Sequence, residues 1–222
     1  MTYTLTVQKI EPVTHDTYRL ICSKPEGFRF EPGQATHMAL DKDGWRDEDR
    51  AFTMTNDPAD DHVEFVIKSY PSHDGVTEKV PGIEPGDRWI AEEPAGAITD
   101  HGCGTFLAAG AGVTPFIAIL NKHAREGVGG DVLIFANETD KDVILEEEWE
   151  RMSGVTAHHV ISDQEDTKHR HGTLDRALLE DIGVQTDRPC YICGPQEFVD
   201  DMRETLKAMG VPDDKIIVED GW

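Results

Sequence analysis

The stretch at 106–117, FLAAGAGVTPFI, limits what this chain can fold into more than any other. An apolar run, Phe106 to Ala109, enters a turn at Gly110-Ala111-Gly112. Val113-Thr114-Pro115 then open a second apolar stretch, Phe116 to Leu120, of helical character. A strand, a glycine turn and a helix in that order leave unpaired backbone N–H groups at the helix start, beside the positive end of its dipole. Glycines let a ligand come close to the backbone, so the unit suits a diphosphate. Pro115 fits a first helical turn, where its missing N–H costs nothing. The spacing is G-x-G-x-x-P, without the third glycine of the dinucleotide fingerprint. Taken alone, it is equally well an ordinary βα turn.

The hydrophobic period changes on either side of residue 104. Residues 2–11 and 15–23 alternate polar and apolar (Tyr3, Leu5, Val7; Tyr18, Leu20, Cys22), as paired strands do. Glu31-Pro32-Gly33-Gln34 is a turn into a third strand, Ala35–Leu40, and 41–49 is a charged hairpin loop carrying Trp45. RAFTMTNDP (50–58) is followed by a strand at His62–Lys68, a loop with a short helix at 70–80, and a last strand from Gly86. Six short strands with little helix predict a small antiparallel β-barrel. After 104, strands at 105–109, 131–136, 155–161, 190–193 and 216–218 alternate with helices at 114–126, 144–152, 174–182 and 196–209. That alternation predicts an α/β doubly wound parallel sheet with ligands at the strand carboxyl ends. Two domains are expected, 1–99 and 100–222.

Composition excludes several function classes. The 222 residues are 38% hydrophobic, enough for packed cores. No run approaches the roughly 20 apolar residues of a membrane span, and the first residues alternate like a strand rather than a signal peptide, so a cytoplasmic protein is expected. With 44 acidic against 21 basic residues the net charge is −23, spread over both halves. No basic stripe could neutralise phosphates, which excludes nucleic acid as a partner. Such even acidity points to a solvated surface, with adaptation to high salt as one hypothesis. Cys190 and Cys193 form a C-x-x-C, but on a strand residues i and i+3 face opposite ways, so no metal or redox pair is expected. His158-His159 and His169-x-His171 lack matching ligands in sequence, and Glu146-Glu147-Glu148 fits a solvated helix face.

Arg50-Ala51-Phe52-Thr53, after a P-G-Q turn and before the strand ending Val66-Ile67-Lys68, resembles the R-x-[YF]-[ST] flavin motif of the ferredoxin reductase superfamily. Gly75-Val76-Thr77 resembles the family's second diphosphate contact, Gly110, Gly112, Val113, Thr114 and Pro115 its nucleotide turn, and Cys193-Gly194-Pro195 its C-G-P motif. The resemblance covers nearly the whole chain: a FAD-binding barrel followed by a nicotinamide-nucleotide domain. It implies that Arg50 holds the flavin diphosphate, Phe52 packs along the flavin and Thr53 contacts the N5 region. Guanidinium suits a diphosphate as a bidentate donor. Lys68 and Tyr70 match positions lining the flavin's ribityl and adenine side, which favours FAD over FMN, and Val66 and Ile67 before them are also expected to bind the cofactor. Phe52 stands where tyrosine is commoner, and Phe198 where a methionine usually follows the C-G-P motif. Cys193 would lie near the nicotinamide carbon, and Trp222 resembles the C-terminal aromatic beside the flavin ring. With Thr53 and Cys193, these are the expected site residues.

The resemblance thus implies a FAD-dependent oxidoreductase that moves hydride between NAD(P)H and flavin. Electrons would pass to a carrier such as ferredoxin, flavodoxin or an oxygenase component. Two alternatives stay open: a reductase of a small acceptor such as a ferric chelate or free flavin, and a flavin-binding subunit with little activity alone. For the coenzyme, NADH is expected over NADPH. The second strand of the α/β half ends in Asn137-Glu138 and the third in Ser162-Asp163, followed by Gly172-Thr173, where a 2′-phosphate would need cations.

Overall fold

The computed structural model describes residues 1–72, 75–96 and 98–219. Six strands make up the first sheet: β1 (Thr2–Pro12), β2 (Thr17–Ser23), β3 (Ala35–Leu40), β4 (Arg50–Thr53), β5 (His62–Lys68) and β6 (Arg88–Glu92), in the order β4-β3-β6-β1-β2-β5. All its neighbours are antiparallel. Its two edges meet through a bridge between Met54 and Phe65, so the sheet closes into a nearly complete barrel. Alternate residues fill the inside: Leu5 and Val7, Leu20 and Cys22, and Val63, Phe65 and Ile67, around fully buried Trp89. Period-two patterning allows this, because one face of each strand can be apolar throughout.

The second sheet is parallel: β7 (Thr105–Ala109), β8 (Asp131–Asn137), β9 (Val155–Ile161), β10 (Arg170–His171), β11 (Cys190–Cys193) and β12 (Ile216–Val218), ordered β10-β9-β8-β7-β11-β12. The chain winds outward from β7 to β10, then returns to lay β11 on the other side of β7 in register Cys190↔Thr105 to Cys193↔Ala108. That reversal opens a crevice at the carboxyl ends of β7 and β11. Helices α1 (Thr114–Glu126), α2 (Glu146–Arg151), α3 (Arg176–Ile182) and α4 (Gln196–Ala208) cover the sheet. Phe106, Phe116, Phe135 and Trp149 build the core on one face, and Leu107, Ile134, Ile192 and Leu206 build it on the other. Cys193 belongs to the first core and Cys190 to the second, as strand geometry requires.

Two expectations are corrected. α2 spans only Glu146–Arg151, because Leu145 before it takes a left-handed conformation (φ 56°) that a continuous helix forbids. β10 has no counterpart in the sequence reading, since its two residues are exposed and polar.

The two sheets share packing and charge. Val66 of β5 and Ile98 of the connecting segment belong to the same core as Phe116 and Trp149. Arg19 of β2 pairs with Glu148 of α2 at 2.6 Å, and Arg125 of α1 with Asp57 at 2.6 Å. The 146–148 run is therefore engaged rather than simply solvated: Glu146 meets Lys168 and His169, and Glu147 meets Arg151. Among the described residues no helix is long and apolar enough to cross a membrane.

Candidate nucleotide cleft

A cleft of about 1430 Å³ runs between the barrel wall and the carboxyl ends of the parallel strands. That exceeds the usual range of roughly 300–1,000 Å³ for a small-molecule site, so there is room for more than one ligand. From the barrel it is lined by Arg50, Ala51, Phe52 and Thr53, by Val66, Ile67, Lys68 and Tyr70, and by Gly75 and Thr77. From the α/β half come Gly110, Gly112, Thr114 and Pro115, then Glu138, and then Cys193, Gly194 and Pro195. Motifs spread over more than half the chain thus converge on one space.

Each motif is placed by its element. β4 is held between β3 and, through Met54, β5, so Arg50 to Thr53 form the barrel wall facing the other half. The Arg50 guanidinium is exposed and donates to the Asp49 carbonyl at 2.6 Å. The Asp49 carboxylate lies against His37 Nδ1 at 2.5 Å. The Phe52 ring meets buried Trp89 edge-on at 6.0 Å, which fixes it in the wall.

The glycine turn is a short 3₁₀ helix, Gly110–Val113, running straight into α1 with Pro115 in its first turn. The Thr114 hydroxyl donates to the Ala111 carbonyl at 3.0 Å. The two glycines do different work. Gly110 has φ 52° and open space where a Cβ would stand, so the turn there is bare toward the cleft. A Cβ on Gly112 would sit 2.4 Å from the Cys193 carbonyl oxygen and 2.6 Å from the Gly194 Cα. Gly112 therefore brings the turn against the end of β11 rather than making room for a ligand.

Two expected contacts do not reach the cleft. Val76 and Val113 are fully buried, the first in the barrel core and the second in the α/β core. Each belongs to a motif whose alternate residues turn inward. Trp222 lies outside the described residues.

Cys193 is buried, and burial, reinforced by the nearby Glu219 charge, pushes its thiol up to about 12. It is a neutral thiol at physiological pH, unsuited to nucleophilic attack. Glu219, just beyond β12, also lines the cleft and had no signal in the sequence. The residue as a whole is exposed, yet loss of solvent around its carboxyl raises that group's pKa. α4 adds Glu197 and Asp201, one turn apart, with Phe198 and Met202 beside them. These residues reach the site through topology, which no local pattern announces.

The charges near the cleft are largely committed. Lys68 Nζ lies 3.2 Å from Asp16 and 3.9 Å from Asp142. His15, Asp16 and Asp142 form the one group among the described residues with ligand atoms close enough for a metal, all within 4.8 Å. Lys68 already supplies positive charge there. Lys168 pairs with Glu146 at 2.6 Å and Arg170 with Asp181 at 2.7 Å.

Residues 106–204 match the oxidoreductase NAD-binding domain family. The chain is 26% identical, over 97% of its length, to the ferredoxin reductase component of 3-ketosteroid-9-alpha-monooxygenase from Mycolicibacterium smegmatis, and covers 64% of that protein. It is 28% identical, over 96% of its length, to the reductase component of propane 2-monooxygenase from Rhodococcus jostii, covering 62% of it. The chain thus spans somewhat less than two thirds of these relatives. Among solved structures, the FAD/NAD-binding domain of nitric oxide dioxygenase from Vibrio cholerae superposes with a TM-score of 0.87 at 19% identity, over 97% of each chain. A ferredoxin NADP+ reductase from Neisseria gonorrhoeae, solved with bound FAD and NADP, superposes with a TM-score of 0.84 at 19% identity, over 100% of this chain and 99% of that one. The fold is that of the ferredoxin reductase-like proteins.

Proposed function

We propose that this chain is a FAD-dependent oxidoreductase with an FAD-binding barrel at 1–99 and a nicotinamide-nucleotide-binding α/β domain, doubly wound, at 100–222. The observation that carries the reading is the convergence of Arg50-Ala51-Phe52-Thr53 and Cys193-Gly194-Pro195 on one cleft. The residues fit a flavin dinucleotide. Arg50 offers an exposed guanidinium, Thr53 a hydroxyl, Tyr70 an aromatic face and the start of the 3₁₀ helix at Gly75 further backbone donors. The bare turn at Gly110 fits a second diphosphate, that of the coenzyme.

When bound, the two cofactors supply the redox chemistry, hydride passing between nicotinamide and flavin. The protein binds, orients and shields. Arg50 anchors one diphosphate and the Gly110 turn the other, while β4 and the end of β11 set the distance between them. Phe52, fixed by Trp89, and neutral Cys193 keep the meeting point apolar and dry. Thr53 offers the one hydroxyl of the 50–53 strand to the flavin edge. NADH is the favoured coenzyme, because Glu138, Glu197 and Asp201 line the α/β side of the cleft.

Electrons then pass to a redox protein of the ferredoxin, flavodoxin or oxygenase-component kind. The names of the 3-ketosteroid and propane monooxygenase reductase components support this choice. The test is direct. Purified protein should be yellow and release FAD on denaturation, and it should oxidise NADH with an artificial acceptor. Arg50→Ala should lower flavin affinity at least tenfold while leaving the melting temperature of the apoprotein unchanged, since the side chain is exposed. A colourless protein that cannot be reconstituted with FAD would end the reading.

A further inference from the structure

Among the described residues, ion pairs cross between the barrel and the α/β half at three places. Two are single pairs open to solvent, Arg19–Glu148 and Arg125–Asp57. The third is more shielded, and of the three it alone borders the cleft, through Lys68 and Asp142. It is built on the hairpin turn between β1 and β2, residues 13–16. Val13 of that turn packs against the α/β core rather than the barrel's own. His15 Nδ1 lies 3.4 Å from the Lys141 carbonyl, and Nε2 lies 3.6 Å from Asp16 and 3.7 Å from Asp142.

The two carboxylates are arranged alike. Asp16 Oδ1 accepts from the Thr14 and Thr17 hydroxyls at 2.9 and 3.1 Å, which ties it to its own hairpin. Asp142 Oδ2 accepts from the Thr139 N–H at 2.9 Å and the Thr139 hydroxyl at 2.5 Å, which ties it to the loop after β8. The other oxygen of each turns toward the same two groups, the Lys68 ammonium and the His15 ring. Burial alone would raise the Asp16 carboxyl, but the Thr14 hydroxyl and the Lys68 charge outweigh it and hold it below the usual carboxylate range. Charges shielded in this way interact more strongly than exposed ones, because less water screens them.

Neither half needs this cluster to close. The barrel closes through Met54 and Phe65, and the parallel sheet carries a core on each face. What the cluster fixes is the angle between the halves. Hydride transfer depends steeply on that angle, because reacting atoms must stand about 3–3.5 Å apart and a displacement of about 1 Å can cost roughly 100-fold in rate.

We propose that His15 and Asp142 are positioning residues. With Asp16 and Lys68 they clasp the barrel hairpin to the loop after β8 and hold the halves at the angle at which nicotinamide meets flavin. This rests on the reading that both cofactors share the cleft. The clasp acts through orientation, so it governs how fast bound coenzyme reduces the flavin. The rival is a plain structural tie, which would lower stability and leave the chemistry of the folded protein untouched.

The test separates the two half-reactions. His15→Ala removes the ring, and Asp142→Asn removes the charge while keeping an oxygen for Thr139. Each variant, saturated with FAD, is mixed with saturating NADH in a stopped-flow without oxygen. Flavin reduction should slow about tenfold in each, and the double variant should be no slower than the slower single one, since both break one clasp. FAD occupancy, and reoxidation of dithionite-reduced flavin by ferricyanide, need only the barrel and should stay at wild-type values. Reduction at the wild-type rate overturns the proposal, even where the melting temperature falls. Loss of flavin, or equal slowing of reduction and reoxidation, also overturns it and assigns the cluster to the flavin site. If Asp142→Asn does not fold, His15→Ala carries the test alone, since that residue is exposed. Wild type whose flavin neither NADH nor NADPH reduces overturns the oxidoreductase reading itself, and that result appears before any variant is compared.

Discussion

The two ends of the parallel sheet treat buried polar groups in opposite ways. At the amino end, His123 of α1 is 2% exposed and lies between two carboxylates, Nδ1 at 2.9 Å from Asp131 and Nε2 at 3.1 Å from Asp100. Fully buried Asp131 also accepts from the Gly104 N–H at 2.9 Å, and Lys122 donates to Asp100 at 2.7 Å. Tyr191 completes the set, donating to the Gly102 carbonyl and accepting from the His101 N–H. At the carboxyl end, Asn137 and His159 are almost as buried and have no partner. One end is closed by its own chemistry. The other is left open beside the cleft, and it carries a cost in the free chain.

The largest effect expected from breaking this contrast is at the amino end. Asp131→Ala removes the partner of His123 and of the Gly104 N–H in a buried site. Losing one member of a buried, hydrogen-bonded pair costs about 3–5 kcal/mol. Urea unfolding should show a loss of this order, while NAD+ affinity of the folded fraction stays at the wild-type value. A loss below about 1 kcal/mol would mean the network contributes little.

At the carboxyl end the effect appears with pH. Burial, aided by the charges of His169, Lys168 and His158 and opposed by Glu146, pushes His159 down to about 4. The unfolded chain, with an ordinary histidine near 6.5, then binds the extra proton between pH 6.5 and 4. Stability from this residue is complete above 6.5 and is lost as pH falls through that window, by up to about 3 kcal/mol. His159→Phe removes the group, so its unfolding free energy should decline less than wild type's between pH 7 and 4.5. Parallel declines would place the acid sensitivity elsewhere.

How much of this was legible follows from how each residue reaches its place. The barrel strands were readable because alternation itself decides which side chains enter the core. The cleft motifs were readable as short strings, and the fold brings them to one space. Within those strings the sequence does not say which residue faces inward: Val76 and Val113 sit in motifs but pack in cores. Gly112 looked like room for a ligand and is instead room for the Cys193 carbonyl. Glu197, Asp201 and Glu219 reach the cleft because α4 begins and β12 ends beside it. The left-handed Leu145 that shortens α2 has no marker, since leucine rarely adopts that conformation.

The smallest effect concerns which coenzyme the open end prefers. Glu138 is exposed and lines the cleft beside Ser162, Gly172 and Thr173, while Asp163, also expected there, is not among the lining residues. The cations near in sequence are engaged, Lys168 with Glu146 and Arg170 with Asp181. A 2′-phosphate would therefore meet Glu138 with Glu197 and Asp201 nearby, and among the described residues no lysine or arginine lines this half of the cleft. The groups are exposed and partly screened, so only a modest part of the bare repulsion survives. A tenfold preference for NADH needs about 1.4 kcal/mol, well within that remainder. The measurement is kcat/KM for NADH and NADPH with one artificial acceptor, in wild type and in Glu138→Arg. Wild type should favour NADH about tenfold, and the arginine should narrow or reverse the ratio by raising NADPH activity. A ratio unmoved by the substitution would shift the discrimination to α4, where Asp201→Asn then becomes the variant to measure.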